Sequence, residues 1–489
     1  MGPDRLTAAA GTHRAPALAE ARAEMERYPQ LRAILAGKGG SFVTTRKNLV
    51  VVLPGIGGSV LADDRGEVVW DAGFGSIRSL LKSPGRLSLE ESPRLHPVGL
   101  IGSRQLLPGW TVIHGYESLV KQLSGLPAAN VMLFAYDFRL SVADSAAELD
   151  RQVRDRLLRL GAGDERRVVV VAHSLGGLVA AYWLGALGGA ALCRGVITLG
   201  TPFAGAPKAL QIMANGVLGG RLTEPVAVLR AWPSLAELLP RYPAVWDVAQ
   251  QRGSYAHELP LAAVRGPAAR AYAVHQEIDA GLRDAERLPP VDARRGWSHP
   301  TLRSARWDGT RLEVGREPPH WLGLTGWDAE LGDGTVPAFC AVPVEGGRQS
   351  PGAGRVRERH SPLGSARFVA RLVEAYETYS SLDPIRDDGT AAAAIGLDID
   401  AEHPAGEPIA VRAGVLGADG PPAAVGVVVR EPGGIRPVQQ VRLEPAADGV
   451  FAGRIRGLPP GLYDIQVDAP SVPGSGDLRV VESVAVLEL

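Results

Sequence analysis

The strongest chemical signal in the chain is a serine set among small residues. Residues 167–177 read Arg-Val-Val-Val-Val-Ala-His-Ser-Leu-Gly-Gly. A β-branched run leads into Ala172-His173-Ser174-Leu175-Gly176, and an apolar run follows. This is the pattern of a nucleophile elbow, with alanine where the first glycine usually stands. The residues two before and two after the serine must be small, because strand and helix backbones approach closely at so tight a turn. The turn lifts the Ser174 hydroxyl clear of the strand and sets it at a helix N-terminus. There the Leu175 N–H can meet a developing oxyanion. The chemistry would be nucleophilic acyl transfer. His173 adjoins the serine, but on such a turn its ring points elsewhere, so a packing role is expected.

A serine nucleophile needs a base and an acid to orient it. With an elbow of this type the order along the chain is serine, acid, histidine. The histidines after Ser174 are His257, His275, His299, His320, His360 and His403. The acid should sit in a sharp turn, and Leu331-Gly-Asp-Gly-Thr-Val-Pro337 provides one: Asp333 lies between two glycines. Asp247, Asp279, Asp284, Asp292, Asp308 and Asp328 compete, with Asp328 second in line. The base is then His360, since His403 falls in the β-rich end of the chain. Upstream, Leu53-Pro-Gly-Ile-Gly-Gly-Ser59 is a glycine-rich loop after a strand, and Ile56 is assigned the second oxyanion N–H. No Lys-Ser/Thr follows at the spacing of a phosphate-binding loop.

The elements that must position these groups alternate. Continuous apolar runs occur at 48–53, 131–135, 167–172 and 195–199, and a further strand is expected at 269–274. Helical patterns lie between several of them, notably 112–123 and 141–160, the latter with Ser141 as N-cap. Strand alternating with helix predicts a mostly parallel sheet covered on both faces. Asp71 to Pro108 reads as irregular and is expected to form a cap or lid. From Ala391 onward seven short strands separated by turns predict an Ig-like β-sandwich. The expected organisation is a polar leader over 1–47, an α/β domain over 48–382, and the β-sandwich module over 391–489.

Several motifs stand together in order: Pro54-Gly-Ile-Gly-Gly-Ser59, Tyr136-Asp-Phe-Arg-Leu-Ser141, Ala172-His-Ser-Leu-Gly-Gly177, Gly200-Thr-Pro-Phe-Ala-Gly205, Pro233-Ser-Leu-Ala-Glu-Leu-Leu-Pro240, Gly332-Asp-Gly-Thr-Val-Pro337 and His360. The set resembles the lecithin:cholesterol acyltransferase family, with its phospholipid:diacylglycerol acyltransferases and lysosomal phospholipase A2, over about residues 48–380. The resemblance implies an α/β-hydrolase fold with membrane-facing cap elements. It also implies a Ser174, Asp333 and His360 triad, with oxyanion groups at Ile56 and Leu175. The chain departs from the family in having no cysteine near residues 60–90 for a lid disulfide, and in carrying the C-terminal sandwich. The expected activity is that of a serine-dependent lipid O-acyltransferase or phospholipase working through an acyl-enzyme. The alternatives are a soluble esterase or lipase for other esters, and a non-catalytic binding scaffold. Asp137 and Arg139 are expected to form a structural ion pair.

Composition bounds the partners. Over 489 residues, 52 basic side chains face 53 acidic ones, so no charge excess points to nucleic acid. Five of the basic residues are lysine, and with 60 Gly and 38 Pro this is the drift of a GC-rich bacterial genome. Two cysteines, Cys193 and Cys340, make no disulfide framework. The uncharged stretch 175–193 imitates a membrane span, but its glycines and its place after a strand fit a buried helix better. The first thirty residues show no secretory pattern, so a cytoplasmic location is expected. The expected partners are a lipid or ester substrate and a transient membrane contact, with a protein partner for the sandwich open. No cofactor or metal is expected.

Overall fold

The computed structural model describes residues 48–488 except 72–80, 103–104, 127–129, 162–166, 326–329, 344–353, 365–367, 379–392 and 447–448. The leader, the stretch between the two expected domains, Asp328 and residues 72–80 of the expected lid lie outside them.

Six strands form one parallel sheet: β1 (Leu49–Leu53), β2 (Asn130–Leu133), β3 (Val168–His173), β4 (Cys193–Leu199), β5 (Val291–Gly296) and β6 (Arg355–Val356), in the order β6-β5-β4-β3-β1-β2. Every residue of β1 and β3 is buried, which is why these strands read as unbroken β-branched runs rather than alternating ones. The chain leaves β1 outward to β2, then returns to the other side of β1 as β3. Winding reverses there, so the carboxyl ends of β1 and β3 open on the crevice where such sheets place ligands. This is an α/β-hydrolase fold.

Helices cover the sheet. They include α1 (Glu117–Ser124), α2 (Val142–Arg159), α3 (Leu175–Ala186), α4 (Pro207–Asn215), α5 (Ala262–Asp284) and α6 (Phe368–Thr378). Ser141 caps α2, its side chain accepting from Asp144 N at 3.0 Å, and Leu149, Val153 and Leu157 turn one face of that helix inward. The uncharged α3 is buried because it crosses α5 with glycine against glycine. A Cβ on Gly281 would lie 2.5 Å from the carbonyl carbon of Gly185. Among the described residues no helix is long and apolar enough to cross a membrane.

Three sequence expectations are corrected. Residues 269–274 are not a strand but part of α5. Six alanines between 262 and 273 favour helix, and Val264, Ala268, Ala271, His275 and Ile278 are buried at the three-four spacing of a helical face. The segment after Asp71 is more ordered than the expected loop. The strand His96–Leu100 joins Ser59–Ala62 and Val68–Trp70 in an antiparallel sheet, and Gln105–Leu107 pairs with Thr111–Ile113 as a hairpin. The helical pattern at 112–123 is therefore a strand end followed by α1.

The C-terminal part is all β: β7 (Ala394–Asp398), β8 (Glu402–Pro404), β9 (Ile409–Leu416), β10 (Val425–Arg430), β11 (Gln439–Pro445), β12 (Val450–Ile455), β13 (Gly461–Val472) and β14 (Gly476–Leu487). Seven of these overlap the expected strands, and the short β8 is additional. Hydrogen bonds join all eight in the order β7-β9-β12-β11-β10-β13-β14-β8, a sheet curled over its own core of Val411, Val427, Ile465, Val467 and Val484. The end of β14 is shared, since Ala485 and Leu487 belong to the core of the α/β part.

Candidate active site

Ser174 sits where β3 turns into α3, at φ 51° and ψ −124°. A non-glycine residue at positive φ costs about 1–3 kcal/mol and is held by its surroundings. Here the clamp is steric. A Cβ on Gly176 would lie 2.5 Å from Pro54 O, and one on Gly177 would run into Thr201. A Cβ on Gly55 would lie 2.9 Å from Ser174 Cβ, so the loop Pro54-Gly55-Ile56 after β1 runs directly against the serine. Leu175 opens α3 beside it.

The structure brings three of the singled-out side chains into one hydrogen-bonded line. Ser174 Oγ lies 2.9 Å from His360 Nε2, and His360 Nδ1 lies 2.8 Å from Asp333 Oδ2. A carboxylate only accepts, so Nδ1 carries the proton and Nε2 is free to accept from the serine hydroxyl. The other oxygen, Asp333 Oδ1, accepts from Thr335 N at 2.9 Å and Val336 N at 2.7 Å. Burial alone would raise the Asp333 pKa, but the His360 charge and these hydrogen bonds outweigh it and hold the carboxyl below its ordinary value. All three are closed off, with Ser174 1%, Asp333 1% and His360 2% exposed. Gly200, at φ 60° after β4, leaves room for the pair: a Cβ there would lie 2.8 Å from Asp333 Oδ2 and 3.0 Å from His360 Nδ1.

His173 does turn away from the serine, into a relay. Its Nε2–H donates to His360 O at 2.9 Å, so Nδ1 accepts from the Tyr116 hydroxyl at 2.8 Å. Tyr116 Oη in turn accepts from Gly55 N at 2.8 Å. The loop after β1 and the loop bearing His360 are thereby joined. Burial drives the His173 pKa down to about 3, with the nearby His360 adding to the effect, and the ring stays neutral. Tyr136 donates to Pro54 O at 2.8 Å, a second brace on the same loop. Arg139 and Asp137 form the expected buried ion pair, at 2.9 and 2.7 Å, and Arg139 also reaches Ser92 O at 2.8 Å.

Trp110, at the tip of the hairpin, faces the His360 ring edge-on at 6.4 Å between centroids and is buried over the site. Neither Tyr116 nor Trp110 carries a local sequence signal, since each acquires its place through distant contacts. Of the competing acids, Asp247, Asp279, Asp292 and Asp308 are engaged elsewhere: with Gln250 N, Arg241, Arg294 and the turn at Thr310 respectively. No group of three or more possible metal ligands occurs among the described residues.

Residues 111–253 match the lecithin:cholesterol acyltransferase family. Across that stretch the chain is lecithin:cholesterol acyltransferase-like. The matched stretch holds the elbow and Tyr116, Tyr136 and Arg139, whereas Asp333 and His360 lie beyond it. Among solved structures, the Bacillus licheniformis lipase BlEst2 in its propeptide form is similar at 11% identity and a TM-score of 0.34, over 91% of this chain and 95% of that one. The mature form of that lipase is similar at 17% identity and a TM-score of 0.23, over 40% of this chain and 58% of that one. At such scores the likeness is slight, and the fold rests on the strand order above. Comparison with curated protein sequences gives no match.

Proposed function

We propose that this lecithin:cholesterol acyltransferase-like hydrolase fold is an enzyme that cleaves long-chain esters through an acyl-enzyme on Ser174. His360 takes the hydroxyl proton as Ser174 attacks the ester carbonyl, and Asp333 holds the imidazole in the required tautomer and stabilises its charge. The backbone N–H groups of Ile56 and Leu175 receive the oxyanion. A donor of this kind contributes about 3 kcal/mol to the transition state. His360 then returns the proton to the leaving alcohol, and water or a second alcohol accepts the acyl group as the same base deprotonates it. The single observation that supports this reading is the unbroken line Ser174–His360–Asp333 at an elbow of positive φ.

The substrate class, a glycerolipid or another long-chain lipid ester, is drawn from the family likeness and from the apolar cover that Trp110 lays over the site. Turnover of phospholipid vesicles is to be compared with that of short p-nitrophenyl esters, each with and without a lipid alcohol as acceptor. The expected result is release of long acyl chains, with Ser174→Ala reducing kcat by about 10⁴-fold or more at unchanged Tm. Acyl-alcohol product identifies a transferase and free fatty acid a hydrolase. Turnover confined to short esters contradicts the lipid assignment, and undiminished turnover by Ser174→Ala contradicts the mechanism.

A further inference from the structure

The C-terminal strands contact the loops that carry the proposed acid and base. Arg359 immediately precedes His360 and is buried. Its guanidinium goes to the C-terminal sheet: Nε donates to Glu482 of β14, Nη1 to Leu397 O of β7, and Nη2 to Ile399 O at 3.4 Å. Space for it is made by Gly334, beside Asp333, where a Cβ would lie 2.6 Å from Arg359 Nη2. His360 N donates to Asp333 O at 2.9 Å, so the base loop and the acid turn share one backbone contact. A second tie runs through His299. Leu397 N donates to its Nδ1 at 3.2 Å, its Nε2–H donates to Arg357 O at 2.9 Å, and its main-chain N donates to Gly332 O at 2.9 Å. A third holds the covering hairpin, where Glu402 of β8 accepts from Gly109 N and Ser483 lies 2.9 Å from His114 Nε2.

We propose that the C-terminal sheet is a working part of the catalytic centre, and that Arg359 is the positioning residue through which it aims His360 at Ser174. This rests on the reading of Ser174, His360 and Asp333 as the reacting groups. The planar fork of arginine suits this role. One side of it meets a carboxylate while the remaining donors reach two carbonyls on an adjacent strand end, which a lysine ammonium cannot match at once. Other ion pairs cross the same junction without touching the catalytic loops. Arg221–Glu407, at 3.0 Å and more than half exposed on both sides, is one, and it contributes little.

The experiment compares Arg359→Lys, Glu482→Gln and Glu407→Gln in the full chain, measuring kcat, KM and Tm on one p-nitrophenyl ester. Arg359→Lys is expected to lower kcat about tenfold or more with KM within about twofold, because the base is misaimed while the substrate site is intact. Glu482→Gln should lower kcat in the same sense, and Glu407→Gln should leave it within about twofold. A folded Arg359→Lys with kcat within twofold of wild type overturns the proposal. So does a Glu407→Gln that loses as much as Arg359→Lys, for then the junction supports the fold at large. Should Arg359→Lys fail to fold, Glu482→Gln is judged by the same limits. Failure of the underlying reading shows separately, as full turnover by Ser174→Ala.

Discussion

The chemistry at the elbow is set by what the backbone leaves out. Ser174 needs positive φ, Gly176 and Gly177 give it clearance, and Gly200 gives clearance to its partners. Gly200→Ala puts a methyl into the contact between Asp333 and His360 at a backbone angle that alanine disfavours. Its expected effects are a loss of about 1–2 kcal/mol of stability and a fall in kcat of about a hundredfold. Tm and steady-state kinetics check both, and a variant with wild-type kcat shows that the pair tolerates displacement. At this scale the sequence is informative where a local rule applies. Small residues around a serine after a β-branched run specify the turn, and paired glycines mark Asp333. It is silent where a role comes from contact. Tyr116 reaches His173 across 57 residues and Arg359 reaches Glu482 across 123, and neither has a flanking pattern that records the meeting.

Among elements, the parallel strands are legible because burial on both faces removes every polar residue from β1 and from the body of β3. Residues 269–274 mislead because a short alanine-rich stretch alternates by chance, while the helical face emerges only over the whole of α5. The hairpin 105–113 is hidden in sequence among glycines and prolines, yet it carries the cover. Ser174 and His360 are almost wholly enclosed, and Trp110 is the side chain seated against the His360 ring. Trp110→Ala is expected to open the site to small soluble esters and weaken the grip on long chains. The ratio of kcat/KM for long over short acyl esters should fall about tenfold or more, at a cost of about 3–5 kcal/mol in stability. An unchanged ratio places the substrate route elsewhere.

Over the molecule as a unit, buried titratable side chains set the pH response, His299 and Glu402 among them at the junction of the two parts. Burial pushes the pKa values of His173, His275 and His299 down to about 3, 4 and 3. Unfolded, each titrates near 6.5, so below that pH the unfolded chain binds protons that the folded one refuses, and stability falls as pH falls. Burial raises Glu237 and Glu402 to about 7. Their effect is opposite, present at low pH and lost as pH rises from about 4.5 through 7. Between about pH 4.5 and 6.5 these three histidines outweigh the two glutamates by one proton, so stability falls gently as pH falls, and below about 4.5 the histidines act in the same direction as the depressed carboxyls of Asp333, Asp308, Glu148 and Glu258. Thermal unfolding should therefore show a Tm that declines gently as pH falls across the first interval and steeply beneath it, and a Tm that rises on going from pH 4.5 to 4 contradicts the assignment. The all-β character of the C-terminal part was legible from the change in strand spacing near residue 391, but its contacts with the α/β part were not, because composition says nothing of contacts across a junction. If distant segments do make one reactive serine, a fluorophosphonate will find it. The full chain is labelled and the adduct mapped by mass spectrometry. The expected outcome is one adduct, on Ser174, absent from Ser174→Ala and slowed about a thousandfold or more in His360→Ala. An unlabelled wild type, or an adduct that survives in Ser174→Ala, would refute the assignment of Ser174 as the nucleophile.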